Sequence, residues 1–148
     1  MRIALDSNTL VAGLLRAHPH HRLARRWVLP DEDSTLEREI CGHALAEVYS
    51  VLTRLPAPLR VHPSVAEAAL ARLAVALTVR PVTESLQRAA LQRCVRRGLP
   101  GGAVHDALHL VSAESAGVEG IVTFDARQFE RLREPTSPRV IDPADSPR

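Results

Sequence analysis

The chain has 148 residues, 45% of them hydrophobic and 24% charged, with a net charge of +2. That is the size and make-up of one globular domain with one real core, and it excludes disorder as the default away from the ends. All 19 basic side chains are arginines; without a lysine the chain cannot build a P-loop, or any phosphotransfer or dehalogenase-type site that needs one.

Aromatic residues make up only 3% of the chain, so the core is expected to be aliphatic, and a binder that stacks bases on an aromatic platform is disfavoured. Cys41 and Cys94 are isolated, neither in a C-x-x-C pair nor beside histidines at ligand spacing, and are expected as buried reduced thiols in a cytoplasmic protein. The longest run without a charge, Ser7 to Leu15, is nine residues, which predicts neither a signal peptide nor a membrane span.

Taken in order, Ile3 to Leu5 reads as a short buried strand. Ser7, Asn8 and Thr9 then offer cap chemistry for a helix carrying Leu10, Val11, Leu14 and Leu15. A second helix is expected over roughly His20 to Leu29, stopped by Pro30, with a polar loop from Pro30 to Thr35. Glu37 to Cys41 reads as a strand despite its alternating charges. From Gly42 to Leu55 the apolar Leu45, Val48, Tyr49, Val51 and Leu52 leave His43, Glu47, Ser50 and Arg54 on one stripe of a helix, which Pro56 and Pro58 end.

Ser64 with Glu67 predicts a capping box for the next helix, through Ala66, Leu70, Leu73 and Ala74. Leu77 to Val79 reads as a third strand, and Thr83 opens a helix that runs to Arg97 before the stop at Gly98 to Gly102. Ala103 to Ala116 is apolar nearly all round, so it should be central and buried, with Gly117 as its cap. Gly120 to Phe124 is a strand, Ala126 to Leu132 a short helix, and Arg139 to Ile141 a last edge strand. One domain is expected over residues 1 to 142, with a flexible proline-rich tail over 143 to 148.

Short apolar strands alternating with helices predict an α/β fold, a parallel sheet flanked by helices, with ligands beyond the carboxyl ends of the strands. Asp6 and Asp125 stand at such ends, where each could equally be a helix cap. Asp106 lies on the helix with almost no polar face, where an unpaired carboxylate costs several kcal/mol or protonates. It therefore needs a partner, either an arginine or a cation shared with other acids. Glu47 reads equally as part of a solvated helical face, and His105 and His109 as ordinary histidines beside an apolar face.

The order of motifs decides among these readings. A strand ending in D-x-N (Asp6, Asn8), a helical glutamate in A-E-V (Ala46 to Val48), H-D-A-L-H-L (His105 to Leu110) and V-T-F-D (Val122 to Asp125) together resemble the PIN domain. At this length they resemble more narrowly the VapC toxins of bacterial toxin–antitoxin modules. The likeness covers residues 1 to about 142. The cluster His18, His20 and His21 is a departure, being richer in histidine than the family pattern.

The resemblance implies a three-layer α/β/α fold with a central parallel sheet of four to five short strands. It also implies a Mg²⁺- or Mn²⁺-dependent ribonuclease with Asp6, Glu47, Asp106 and Asp125 as catalytic residues. Asp6, Asp106 and Asp125 would hold the metal, directly or through water, with Glu47 completing the ring or positioning the water. Asn8 and Thr123 would orient the carboxylates by hydrogen bonds. The implied partners are an RNA substrate, a cognate antitoxin and a second copy in a homodimer, with no membrane. Arginines and histidines over 16 to 26, and Arg88, Arg93, Arg96 and Arg97, are candidates for an RNA-facing rim. The alternative is a PIN-fold binding or interaction module that has kept the fold without the chemistry.

Overall fold

A computed structural model describes residues 1–29 and 35–145. In chain order these form β1 (Arg2–Leu5), α1 (Ser7–Leu14), α2 (His21–Val28), β2 (Glu37–Cys41), α3 (His43–Arg54), α4 (Pro63–Ala76), β3 (Thr78–Arg80), α5 (Glu84–Arg97), α6 (Ala103–Ala116), β4 (Gly120–Val122), α7 (Ala126–Leu132) and β5 (Arg139–Ile141). The five strands make one parallel sheet in the order β3-β2-β1-β4-β5. This is the expected α/β/α arrangement, and the first strand of the chain is its centre. Residues 30 to 34 of the expected polar loop, and residues 146 to 148 of the expected tail, lie outside the described residues.

Alternation along each strand builds the layers, because successive side chains of a strand point to opposite faces. Ile3 and Leu5 of β1, Ile40 of β2 and Val122 of β4 belong to one core, with Leu10, Trp27, Val48, Leu70 and Leu73 from α1 to α4. Ala4, Cys41 and Ile121 turn the other way, onto Ala90, Cys94, Leu110, Phe129 and Leu132 from α5 to α7. With both faces covered, the strands need no polar side, as parallel sheets require. Both cysteines are free and buried. On the first face α1 and α2 approach closely at Gly13, where a Cβ would sit 2.7 Å from a methyl of Val28.

Two boundaries differ from the sequence reading. The fourth helix is capped by His62, whose ring accepts the Ser64 N–H at 3.3 Å. Pro63 then takes the first helical position, where its missing N–H costs nothing, and Ser64 falls inside the helix. The strand expected through Phe124 ends at Val122, because the Thr123 side chain takes over the bonding at the strand end. Gly117 does cap α6 in the left-handed region, at φ 65°.

The alternating charges of β2 are resolved by arginine. Glu39 accepts from Arg80 of β3 at 2.7 and 2.8 Å and from Arg2 of β1 at 2.6 Å. Arg38 donates to the carbonyls of Trp27 and Leu36 at 2.7 and 3.0 Å. At the far end of the chain, Trp27 Nε1 donates to the Pro143 carbonyl at 3.0 Å, and Arg26 reaches the carbonyls of Pro143, Ala144 and Asp145.

Candidate active site

Because Leu5 lies in register with Val122, the residues just past β1 and β4 meet at the carboxyl edge of the sheet. Asp6, only 2% exposed, donates its backbone N–H to the Val122 carbonyl at 3.1 Å. Its Oδ1 accepts the Ser7 N–H at 2.7 Å, which makes it the cap of α1, and its Oδ2 accepts the Thr123 hydroxyl at 2.8 Å. The Thr123 oxygen in turn accepts from Asn8 Nδ2 at 3.2 Å and from the Asp125 N–H at 3.0 Å. Asn8 Oδ1 accepts the Phe124 N–H at 3.2 Å. One hydroxyl and one amide thus stitch the two strand ends together and set the direction of the Asp6 carboxylate.

Two helices bring the other acids. Asp106 stands half-buried in the first turn of α6, where the helix N-terminus favours a negative charge. Among the described residues it has neither a hydrogen-bond partner nor an arginine. His109, three residues on and so on the same face, is also 2% exposed. Its Nε2 lies 2.5 Å from Glu47 Oε2 on α3 and 3.8 Å from Asp6 Oδ1. Asp125 is exposed and caps α7 by accepting the Gln128 N–H at 3.3 Å.

Electrostatics show how closely these groups are coupled. Burial, and then the nearby Asp6, push the Asp106 carboxyl up to about 6; Asp125 and Glu47 push the same way, and His109 opposes them. Burial also holds Asp6 above its ordinary value, against the pull of His109, Thr123 and Ser7. His109 shows the reverse balance. Burial would lower it, but the bond to Glu47 and the charges of Asp6, Glu47 and Asp106 raise it overall. Glu47 is also penalised by burial, yet His109 and its neighbours hold it below the ordinary carboxylate range. Four acids therefore share one neighbourhood with a single buried cation-forming group.

The acids alone do not form the tightest ligand set. Among the described residues, the group of three whose ligand atoms all lie within 4.8 Å of one another is His43, Glu47 and His105. An ion shared by Asp6, Asp106 and Asp125 would therefore reach at least one of them through water. Their oxygen donors, partly buried and short of positive charge, are nevertheless what a hard divalent cation requires.

Sequence reasoning treated His109 as ordinary and His43 as part of a stripe. The available signal was spacing: His43 with Glu47, and His105 with His109, are two i,i+4 pairs, on helices from opposite faces of the sheet, whose side chains meet. The two basic clusters part company. On α5, Arg93 is buried and paired with Glu114 at 2.9 Å and Glu134 at 3.1 Å, Arg96 pairs with Glu134, and Arg88 with Glu84. Of that cluster only Arg93 is internal; Arg88 and Arg96 form their pairs at the surface. Near α2, Arg16, Arg22 and Arg25 have no partner among the described residues, and His20 stacks on Phe124 at 5.0 Å, beside Asp125.

A family model described as the PIN domain matches residues 3–135. The chain is 39% identical over 127 residues to Ribonuclease VapC27 of Mycobacterium tuberculosis, covering 84% of this chain and 85% of that one. It is 37% identical over 145 residues to Ribonuclease VapC40 of the same species, covering 88% and 94%. Among solved structures it is similar to M. tuberculosis VapC20, a Sarcin-Ricin loop cleaving toxin, with a TM-score of 0.68 at 23% identity over 85% and 92% of the two chains. It is also similar to DNA-bound VapBC from Salmonella typhimurium, with a TM-score of 0.67 at 22% identity over 97% and 98%. At these identities the two structures speak for the fold alone.

Proposed function

The chain belongs to the PIN-domain family, and from that premise we propose that it is an endoribonuclease dependent on Mg²⁺ or Mn²⁺, the toxin of a type II toxin–antitoxin pair. The relatives named as ribonucleases support nuclease chemistry. The observation that carries the metal-dependent reading is an acid cluster without arginine: among the described residues none pairs with Asp6 or Asp106, and burial, then the charge of Asp6, pushes the Asp106 carboxyl up to about 6.

Asp6, Asp106 and Asp125 would hold the ion, directly or through water. When bound it supplies positive charge against the phosphodiester and acidifies an attacking water. Thr123 and Asn8 keep the Asp6 carboxylate aimed at that position. His109 holds Glu47 through Oε2, which leaves Glu47 Oε1 free to orient a water or accept its proton. The exposed arginines near α2 are a phosphate-facing rim, while Arg88, Arg93 and Arg96 of α5 are already committed to acids and Arg97 to the Arg133 carbonyl. A non-catalytic module would have no use for four acids held in one neighbourhood.

The partner would be a cognate antitoxin, as in the solved VapBC complexes, and the setting the cytoplasm. No helix among the described residues is long and apolar enough to cross a membrane. The test is cleavage of total RNA with Mg²⁺ or Mn²⁺ by wild type beside Asp6→Asn and Asp106→Asn, with folding checked by circular dichroism. The expected loss is at least about a hundredfold in each variant; equal activity in all three overturns the assignment.

A further inference from the structure

The histidines left over from the carboxylate cluster form a constellation of their own. His43 opens α3 and Glu47 follows one turn later, while His105 sits across from them in the first turn of α6. The imidazoles of His43 and His105 are parallel, 1° apart in plane with centroids 4.9 Å apart, and His43 Nε2 lies 2.9 Å from His105 Nδ1. Glu47 Oε1 is 3.8 Å from His43 Nε2, and the other oxygen of the same carboxylate is held by His109.

We propose that His43, His105 and Glu47 form a second metal site, sharing Glu47 with the acid cluster, for a borderline transition ion of the Zn²⁺ class, with His109 orienting the carboxylate from behind.

Three features support this. A tetrahedral ion bound by two imidazoles at about 2.0–2.1 Å sets their nitrogens roughly 3.4 Å apart, so the present pair needs to open by only about half an ångström. Two imidazoles and one carboxylate make up the donor set of a borderline ion, whereas Mg²⁺ prefers oxygen alone. The site also has an entry path: His43 and His105 line an open cleft of 630 Å³ between the start of α3 and the helices α5 and α6, with Val82, Gln87 and Leu91 on its other walls.

His109 supplies the supporting contact that metal ligands require, since its bond to Oε2 leaves Oε1 turned towards His43. With three protein ligands, a fourth position stays open to water or to a group entering from the cleft. The selectivity differs from that of the acid cluster, where Asp6 and Asp125 lie outside this set.

The experiment is a titration of chelator-stripped full-length protein with Co²⁺, read by its visible ligand-field absorption, followed by displacement with Zn²⁺. One equivalent of Co²⁺ should bind and be displaced by Zn²⁺ but not by millimolar Mg²⁺. His43→Ala, His105→Ala and the milder His43→Gln should each weaken binding at least about tenfold, in variants whose far-ultraviolet spectra match wild type. The double variant His18→Ala, His20→Ala should bind as wild type does. Unchanged binding in the His43 and His105 variants overturns the site. So does a loss that follows the His18 and His20 pair, and so does the absence of any ligand-field band in the wild type.

Discussion

Asp6 and Glu39 are two equally secluded carboxylates on adjoining strands, 2% and 5% exposed, and the chain treats them in opposite ways. Glu39 is clasped by Arg80 and Arg2 and sits below its ordinary pKa, with the Arg80 hydrogen bond as the main cause. Asp6, at the end of the next strand, has no arginine and is raised by burial. Arg93 with Glu114 and Glu134 repeats the first pattern on α5, and Asp106 repeats the second on α6. The arginines of this fold neutralise the first kind of acid and leave the second without a cation of that type, and it is on this contrast that the proposed metal site rests.

The sharpest way to break that contrast is to unpair an acid that is now paired. Arg93→Ala leaves Glu114 without its cation, while Glu134 keeps Arg96, and should cost about 3 kcal/mol in urea denaturation, with RNA cleavage unaffected at temperatures where the variant is folded. Wild-type stability in this variant would mean that the arginine pairs are incidental.

Removing an uncharged support from the unpaired side comes next. Thr123→Val deletes the hydroxyl shared by Asp6, Asn8 and Asp125, and should cost about 2 kcal/mol. Since Thr123 helps to hold the Asp6 pKa down, its loss should also move the acid limb of the cleavage profile to higher pH. A pH–rate profile superposable on wild type would show that Thr123 is only mortar.

Legibility from sequence follows the same divide. The bounds of α6 and α7 could be read because Gly117 and Asp125 are local signals that act on neighbouring residues, and short apolar runs located the strands, with β2 read despite its charges and β3 lying one residue later than Leu77 to Val79. The fate of the charges was not readable. Arg93 meets partners 21 and 41 residues away (Glu114, Glu134), and nothing local distinguishes it from Arg88, whose partner Glu84 is one turn away on an exposed face. His109 was missed for a related reason: on a helix packed on nearly all sides, which neighbour faces a given side chain is set by α3. The same limit left Asp106 looking more deeply buried than it is. His62 was overlooked as a cap because a ring nitrogen seldom does that work, whereas Ser64 beside it has the usual chemistry.

A smaller effect, with a diagnostic sign, is expected at Asp106. Its folded pKa lies above the unfolded one, so the folded state binds the extra proton between about pH 4 and 6, and the stability of metal-free protein falls as pH rises through that window. Asp6, Asp125, Glu47 and His109 are the charges it faces. Asp106→Asn should flatten the slope and gain about 1 kcal/mol at pH 8, once screening of a half-exposed group is allowed for. A variant less stable than wild type in chelator at that pH would mean the acid is already compensated. The smallest change is at Glu84, where the exposed pair with Arg88 should contribute only about 0.3–0.5 kcal/mol; Glu84→Ala tests this by thermal melt, and a cost near that of Arg93→Ala would erase the distinction between buried and surface pairs.

The central position of β1 has a consequence for synthesis. The strand that leads into Asp6 is made well before Thr123, whose hydroxyl orients the Asp6 carboxylate from 117 residues further on, just past the strand that pairs directly with β1. Contacts this distant in sequence form late and slowly. A nascent or truncated chain ending before Thr123 therefore has no assembled centre, whatever helices it has already formed. The order of synthesis thus sets the earliest moment at which the carboxyl edge of the sheet can assemble: after Thr123 has emerged.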